Sequence, residues 1–209
     1  MKKITKLSVF ITLCALLYSN NNFAQDDYVK QIEKLRSKKD VFFKSDKGSP
    51  LPKDRKNNFE HLAYFAVTAE YKIKGEYKKL RNQPPFAMTG STGKTSLYIK
   101  HGVISFKVNG VDCKLFAYQD PKLAQKAKWE NYLFVPFRDL TNGEETFGGG
   151  RYIEWNIQDA EKGEIDFNNA FNPNCVYNIK KLCPIPPDEN TLDVKIEAGE
   201  KDFDMGTGT

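Results

Sequence analysis

The densest group of residues capable of chemistry lies between positions 134 and 155. Two arginines, Arg138 and Arg151, bracket a loop that carries three acids and three consecutive glycines: Asp139, Glu144, Glu145, Gly148, Gly149 and Gly150. Glycines allow a ligand to approach the backbone closely, and free N–H groups beside arginines are suited to hold a carboxylate or a phosphate. The alternative is a tight loop whose arginines pair with its own acids, and the sequence favours neither.

A second polar cluster begins at Asp166 and includes Asn168 and Cys175. Asp166 and Glu154 together would supply an acid–base pair, and Cys175 would supply a nucleophile. A nucleophilic cysteine needs a base, and neither of the two histidines lies near Cys175 in the sequence. The spacing therefore leaves the carboxylates as the better candidates for catalysis.

The first 24 residues have the pattern of a secretory signal peptide. Lys2, Lys3 and Lys6 precede an apolar run over residues 7–18, which is shorter than a membrane span. A small residue, Ala24, marks the expected cleavage position. We therefore expect export to the periplasm or the extracellular space, without stable membrane insertion after cleavage.

Removal of this segment also changes the charge balance. The full chain carries a net charge of +5. Three of its 32 basic residues and none of its acidic residues lie in residues 1–24, which leaves 29 basic against 27 acidic residues, a net charge of +2. Such near balance disfavours nucleic acid as a partner. The sequence does not define an oligomeric state.

The cysteines indicate a disulfide rather than a metal site. Cys175 and Cys183 lie eight positions apart on either side of a turn-rich stretch, and they are the natural pair in an oxidising compartment. Cys113 lies in an alternating segment and is expected to be a buried strand residue. No C-x-x-C or H-E-x-x-H pattern is present, so we predict neither a metal site nor a cofactor.

The elements that must position these side chains are mainly strands. Residues 25–44 predict a helix packed on a single β domain over residues 45–201, followed by a disordered tail over residues 202–209. We predict a mainly β fold, an antiparallel barrel or sandwich of about eight strands with an N-terminal helix. The expected strands are residues 62–75, 96–101, 103–108, 111–118, 132–137, 151–156, 163–167 and 192–198, with another short helix at 123–128.

A series of short motifs, taken in order, resembles the bacterial and archaeal family known as domain of unknown function 1684. The motifs include Leu62-Ala63-Tyr64-Phe65, Phe137-Arg138-Asp139, Glu145-Thr146-Phe147-Gly148-Gly149-Gly150-Arg151-Tyr152, Asp166-Phe167-Asn168, Cys183-Pro184 and Ala198-Gly199-Glu200-Lys201. The resemblance covers essentially the whole chain after residue 24 and implies no particular activity. The family often has tyrosine at the position of Phe147, so chemistry that needs that hydroxyl is absent here. Family members occur with and without an export signal, and the present chain resembles an exported member.

These patterns together predict a protein that binds a small polar or anionic ligand. The expected pocket is formed by Arg138, Asp139, Glu145, Gly149, Arg151, Asp166 and Asn168, with the two arginines contacting the anion. One alternative is a hydrolase-like enzyme with Glu154 or Asp166 as general base. Another is an envelope interaction protein whose motif residues only stabilise loops.

Overall fold

The computed structural model describes the backbone of residues 6–203 and the side chains of residues 25–203. Helix α1 (Lys6–Ser45) runs without interruption through the position expected for signal cleavage. The first five residues of the predicted signal peptide lie outside the described residues, as do residues 204–209 of the predicted disordered tail. The start of that tail is held in place, because the Asp202 N–H donates to the Glu145 carbonyl oxygen at 3.0 Å and the Phe203 ring contacts Tyr177.

The described residues after α1 form eight strands joined by short helices and turns. The strands are β1 (Lys72–Lys74), β2 (Glu76–Lys79), β3 (Phe86–Thr89), β4 (Thr95–Val108), β5 (Val111–Gln119), β6 (Tyr132–Phe137), β7 (Arg151–Asn156) and β8 (Glu164–Asp166). The short α-helices are α2 (Lys53–Lys56), α3 (Ile157–Glu161) and α4 (Asn174–Tyr177). Single 3-10 turns occur at Ala69–Tyr71, Ala127–Trp129, Phe167–Asn169 and Asp188–Asn190.

All strand pairs are antiparallel, which confirms a mainly β fold with an N-terminal helix. One sheet has the order β2-β4-β5-β6-β7, with β3 also paired to β4, and a second small sheet consists of β1 and β8. The larger sheet does not close between β2 and β7 within residues 6–203, so these strands do not form a closed barrel.

The two faces of the larger sheet bury different side chains. One face carries the aliphatic core, in which Ile104, Leu115 and Ile153 pack with Ile73 and Ile165 of the small sheet. Burial of each such side chain contributes roughly 1.5–3 kcal/mol, so this shared core holds the two sheets together. The opposite face carries a separate, mainly aromatic cluster.

Most of the alternating segments became the predicted strands. The predictions for residues 111–118, 132–137 and 151–156 are confirmed by β5, β6 and β7. The predicted strand segments 103–108 and 111–118 are joined by a hairpin at Asn109-Gly110, and both residues have the positive φ that such a turn requires. The segments 96–101 and 103–108 are one strand, because the chain passes residue 101 with a register shift rather than a turn.

Three predicted elements differ from the structure. Residues 192–198 alternate between buried and exposed positions but form no strand. In the 62–75 segment, only Lys72–Lys74 forms a strand, which is β1. The helix predicted at 123–128 is a series of turns followed by the 3-10 turn at Ala127–Trp129. Alternation reports burial, whereas a strand also needs a neighbour for its backbone hydrogen bonds.

Candidate functional site

Arg151, one of the two expected anion contacts, is fully enclosed by protein. Its guanidinium donates to Asp139 Oδ1 at 3.2 Å and to the carbonyl oxygens of Ile196, at 2.8 Å, and Ala198. Neither the Arg151 nor the Asp139 side chain is exposed to solvent. Burial lowers the pKa of Arg151 and the Asp139 charge opposes that shift, so the two groups form an internal ion pair.

The rest of this loop also serves its own packing. Asp139 accepts from the Thr141 hydroxyl at 3.0 Å and from the Ile196 N–H at 2.7 Å. The space beside Gly149, which we expected to admit a ligand, holds the Phe147 ring: a Cβ on Gly149 would lie 2.4 Å from that ring. Of the two interpretations that the sequence left open, the tight loop with internally paired charges matches these contacts.

The remaining members of the expected pocket make separate contacts. Arg138 is half-buried and pairs with the exposed Asp188 at 3.3 Å. Glu145 lies 3.7 Å from Lys195 Nζ, and one of its carboxylate oxygens is buried without a hydrogen bond to any described residue. The structure therefore brings Asp139 and Arg151 together, and it places Arg138 and Glu145 beside other partners.

Asp166 and Asn168 form a third group, at the end of β8. Asp166 accepts from the Tyr28 hydroxyl, at 2.8 Å to Oδ2, and from the N–H of Asn168 at 3.0 Å. The Asn168 side chain links the Tyr28 hydroxyl to the Thr68 carbonyl. This network attaches α1 to the sheet, and its hydrogen bonds occupy both Asp166 oxygens.

The disulfide that the sequence predicts between Cys175 and Cys183 is not formed in this structure. Cys113, Cys175 and Cys183 are all free cysteines. Cys175 and Cys183 do lie side by side, but they contact through a hydrogen bond from the Cys175 N–H to the Cys183 sulfur at 2.9 Å. A further hydrogen bond between the thiols lowers the pKa of Cys175 to about 7 and raises that of Cys183. The pair is thus a polarised thiol pair.

A concave site with charged walls lies between α1 and the sheet. One face of α1 presents residues at spacings of four, four, three and four positions to the body of the protein: Tyr28, Ile32, Arg36, Lys39 and Phe43. Such spacing places the side chains on one side of a helix. Ile32 and Phe43 are almost fully buried and fasten the helix, while the two cations between them line a cavity of about 310 Å³. We refer to it as the α1 cavity; its other polar residues are Tyr64, Glu154, Asn168, Asn169 and Glu200.

Arg36 enters the α1 cavity without a carboxylate partner among residues 25–203. Its Nη1 donates to the Phe65 carbonyl at 2.9 Å, and its guanidinium lies 4.3 Å from the centre of the Tyr64 ring. The Arg36 Nε and the Tyr64 hydroxyl are both buried and have no hydrogen-bond partner in the described part of the chain. Burial is the main cause of a lowered pKa at Arg36 and of a raised pKa at Tyr64.

Glu200, at the back of the α1 cavity, is paired. One of its carboxylate oxygens accepts from Lys39, and the other accepts from the Tyr177 hydroxyl and from the Asn172 N–H, the last at 2.8 Å. The carboxylate is 1% exposed. Lys39 therefore neutralises Glu200, and Arg36 provides the uncompensated positive charge of this region.

Glu154 differs from Asp166 in being free of hydrogen bonds and ion pairs to any residue that the structure describes. It projects from β7 and lines the α1 cavity. Desolvation raises its pKa, while the charge of Lys39 opposes the shift. Of the two carboxylates considered as bases, Glu154 is the one with free oxygens.

Sequence reasoning missed Arg36, Lys39, Tyr64 and Glu200. The expected pocket included no residue of the helix, but Arg36 and Lys39 share a helical face with the buried Ile32. That spacing was a usable signal, as was the presence of Tyr64 and Glu200 within the motifs that carried the family resemblance. The described residues contain no cluster of three or more His, Cys, Asp or Glu side chains suited to a metal ion.

The fold and the loop motifs define a family, and comparisons with known proteins agree. Residues 57–201 match the family described as Protein of unknown function (DUF1684), and the chain belongs to that family. A solution NMR structure of an uncharacterized protein from Haloarcula marismortui is 30% identical in sequence and superimposes with a TM-score of 0.65. The match covers 86% of this chain and 96% of the archaeal one. None of the curated proteins matches this chain.

Proposed function

We propose that the protein binds a small ligand with an anionic group in the α1 cavity. The observation that carries the proposal is the half-buried Arg36 side chain, whose buried Nε has no hydrogen-bond partner among the described residues and whose guanidinium has no carboxylate partner there and lies against the Tyr64 ring. A buried charge without an opposite charge is costly, so an incoming anion gains more here than at a solvated arginine. This keeps the ligand class expected from the sequence and moves its site away from Arg151.

The size and lining of the α1 cavity support a small metabolite rather than a macromolecule. Its volume of about 310 Å³ lies at the lower end of typical ligand pockets. Ile32 and Phe171 supply apolar surface, and the exposed Asn169 supplies an amide. Glu154 lies at the same cavity and would accept from a hydroxyl or amine of the ligand. We therefore infer a ligand with an acid at one end and a hydrogen-bond donor at the other.

Calorimetric titration of the full chain with inorganic phosphate and with short mono- and dicarboxylates, at constant ionic strength, tests the proposal. Arg36→Met should weaken the best binder at least about tenfold, since a charge-assisted hydrogen bond contributes roughly 1.5–3 kcal/mol. Arg138→Met is the matched control and should leave the affinity unchanged. Loss of binding in Arg138→Met but not in Arg36→Met would return the site to the glycine-rich loop, and no binding of any probe would refute the proposal.

The second candidate function is a hydrolase-like enzyme with Glu154 as general base. The raised pKa of Glu154 and its free carboxylate favour it over Asp166 for that role. Hydrolysis of p-nitrophenyl esters and phosphates by the full chain, compared with Glu154→Gln, tests this alternative. Turnover that is equal in the two proteins would exclude Glu154 as the base.

We also propose that the chain is exported and cleaved after Ala24. The charged start and short apolar run of residues 1–24 support export, and cleavage there would leave Arg36 and Lys39 on the remaining helix. Within the residues described, no helix is both long and apolar enough to cross a membrane. Mass spectrometry of the protein from a cell-envelope fraction should give an N-terminus at Gln25, and an intact Met1 in the cytosol would contradict the proposal.

A further inference from the structure

A second cavity lies on the aromatic face of the larger sheet, and its lining differs from that of the α1 cavity. It has a volume of about 240 Å³. Five aromatic side chains line it: Tyr98, Tyr132, Phe134, Tyr152 and Phe171. We refer to it as the aromatic cavity. Phe171 and Glu154 line both cavities, so the two are neighbours.

The rings of the aromatic cavity stand at steep angles to one another. Tyr98 and Phe134 are stacked, with ring centres 5.7 Å apart, whereas Tyr152 meets Phe134 at 76° and Phe171 meets Tyr152 at 89°. Ring faces therefore point in several directions. Because each face carries partial negative charge, such an arrangement favours a cation over a flat neutral ring.

The charged residues of this cavity are both acidic. Asp120 and Glu154 line it, and no lysine or arginine is among the described residues that do. Their negative charges raise the pKa of Tyr98 and Tyr132 respectively, in addition to the larger effect of burial. Phe171 already carries a cation from the neighbouring cavity, since Lys39 Nζ lies 4.7 Å from its ring centre.

We propose that the aromatic cavity is a binding site for a small organic cation, of the alkylated or quaternary ammonium class. The rings supply cation–π contacts to an apolar, positively charged group, and the two carboxylates supply the compensating charge. A strongly hydrated metal ion is disfavoured by the apolar lining, and an anion is disfavoured by both carboxylates. The argument for this site does not use the anionic ligand proposed for the α1 cavity, and the two sites share Glu154 and Phe171 as lining residues.

Calorimetric titration of the full chain with choline, and with the neutral alcohol in which carbon replaces the choline nitrogen, tests the proposal. The alcohol has the same shape, so it separates charge recognition from apolar burial. Choline should bind, and the alcohol should bind at least about threefold more weakly. Equal affinity for the two probes, or no binding of choline at millimolar concentration, would overturn the proposal.

Variants of the cavity walls supply the second half of the test. Tyr132→Leu keeps an apolar wall but removes a π face and should weaken choline about 3- to 30-fold. Glu154→Gln should weaken the affinity for choline about 2- to 5-fold. Because Glu154 is exposed, this variant tests the site even if Tyr132→Leu does not fold. Arg138→Met, which removes a cation that lines neither cavity, should leave choline affinity unchanged. Unchanged affinity in folded Tyr132→Leu and in Glu154→Gln would refute the site.

Discussion

Replacement of Arg151 by methionine is the sharpest test of whether the glycine-rich loop is structural. The substitution keeps an unbranched side chain but removes the donors that reach Asp139 and the carbonyl oxygens of Ile196 and Ala198. Asp139 would keep only its bonds from the Thr141 hydroxyl and the Ile196 N–H. It would thus remain as a buried carboxylate without a counter-charge.

The expected cost follows from the complete burial of this ion pair. Removing one member of a buried pair costs about 3–5 kcal/mol, and each buried carbonyl left without a donor adds roughly 1–3 kcal/mol. Total stabilities of domains are only about 5–15 kcal/mol, so at least a third of the stability should disappear. Arg138→Met is the matched control, because its partner Asp188 is fully exposed and such pairs contribute about 0–1 kcal/mol.

Urea unfolding followed by tryptophan fluorescence measures both variants, because Trp155 is buried in the core. With a slope of about 2 kcal/mol per molar urea, Arg151→Met should lower the midpoint by at least about 2.5 M, and Arg138→Met by less than about 0.5 M. Asp139→Asn preserves shape but leaves the Arg151 charge buried without a counter-charge, so it should cost about 3–5 kcal/mol as well. A folded Arg151→Met protein with a midpoint near that of the wild type would refute the structural interpretation.

Three further predictions concern single side chains. Tyr64→Phe should leave the free energy of unfolding unchanged or raise it by up to about 1 kcal/mol, because the removed hydroxyl has no partner in the described residues. Tyr177→Phe should lower it by about 1.5–3 kcal/mol, because it removes a hydrogen bond to the Glu200 carboxylate. Urea unfolding compares the two variants, and equal losses would contradict the assignment. The rate of iodoacetamide labelling of Cys175 should rise around pH 7, because the pKa of this thiol is lowered to about 7. Burial raises the pKa of Cys113, so that cysteine should react only at more alkaline pH. Peptide mass spectrometry distinguishes the two cysteines, and identical pH profiles would refute the thiol pairing. Burial is the main cause of a lowered pKa at His101, so as the pH falls the unfolded chain binds a proton at this residue before the folded protein does. The free energy of unfolding should therefore fall as the pH drops below about 6.5. His101→Gln should reduce that pH dependence, and an unchanged dependence in the variant would contradict the prediction.

Residues 192–198 show most clearly where sequence reasoning reaches its limit. Leu192, Val194 and Ile196 alternate with exposed residues and enter the core, as the sequence predicted. Their backbone, however, bonds to a loop and to side chains rather than to a neighbouring strand. The Leu192 N–H donates to the Arg138 carbonyl oxygen, and the Val194 carbonyl oxygen accepts from the Leu140 N–H. The Ile196 carbonyl oxygen accepts from Arg151, and the Ile196 N–H donates to Asp139. A local pattern indicates which side chains are buried, but it does not indicate which distant groups will form hydrogen bonds with the backbone.

The residues of the predicted ligand pocket lie beside different partners, and the sequence did not indicate those partners. Charged residues that are close in sequence can bind a ligand or pair with one another. The composition of the segment is the same in both cases, so it does not distinguish them. Arg151 and Asp139, twelve positions apart, meet each other in a volume that excludes solvent. The cavity that does form depends on α1, whose Arg36 is far in sequence from Tyr64 and Glu200.

The sequence by itself determined the features that depend on neighbouring residues. Period-two alternation defined β5, β6 and β7, the Asn109-Gly110 pair defined a hairpin, and apolar spacing defined the helix, because each follows from local backbone geometry. The tertiary structure alone decided which charges are neutralised and which remain available. That choice depends on distance and solvent exclusion between residues such as Lys39 and Glu200, 161 positions apart, and neither quantity is local in the chain.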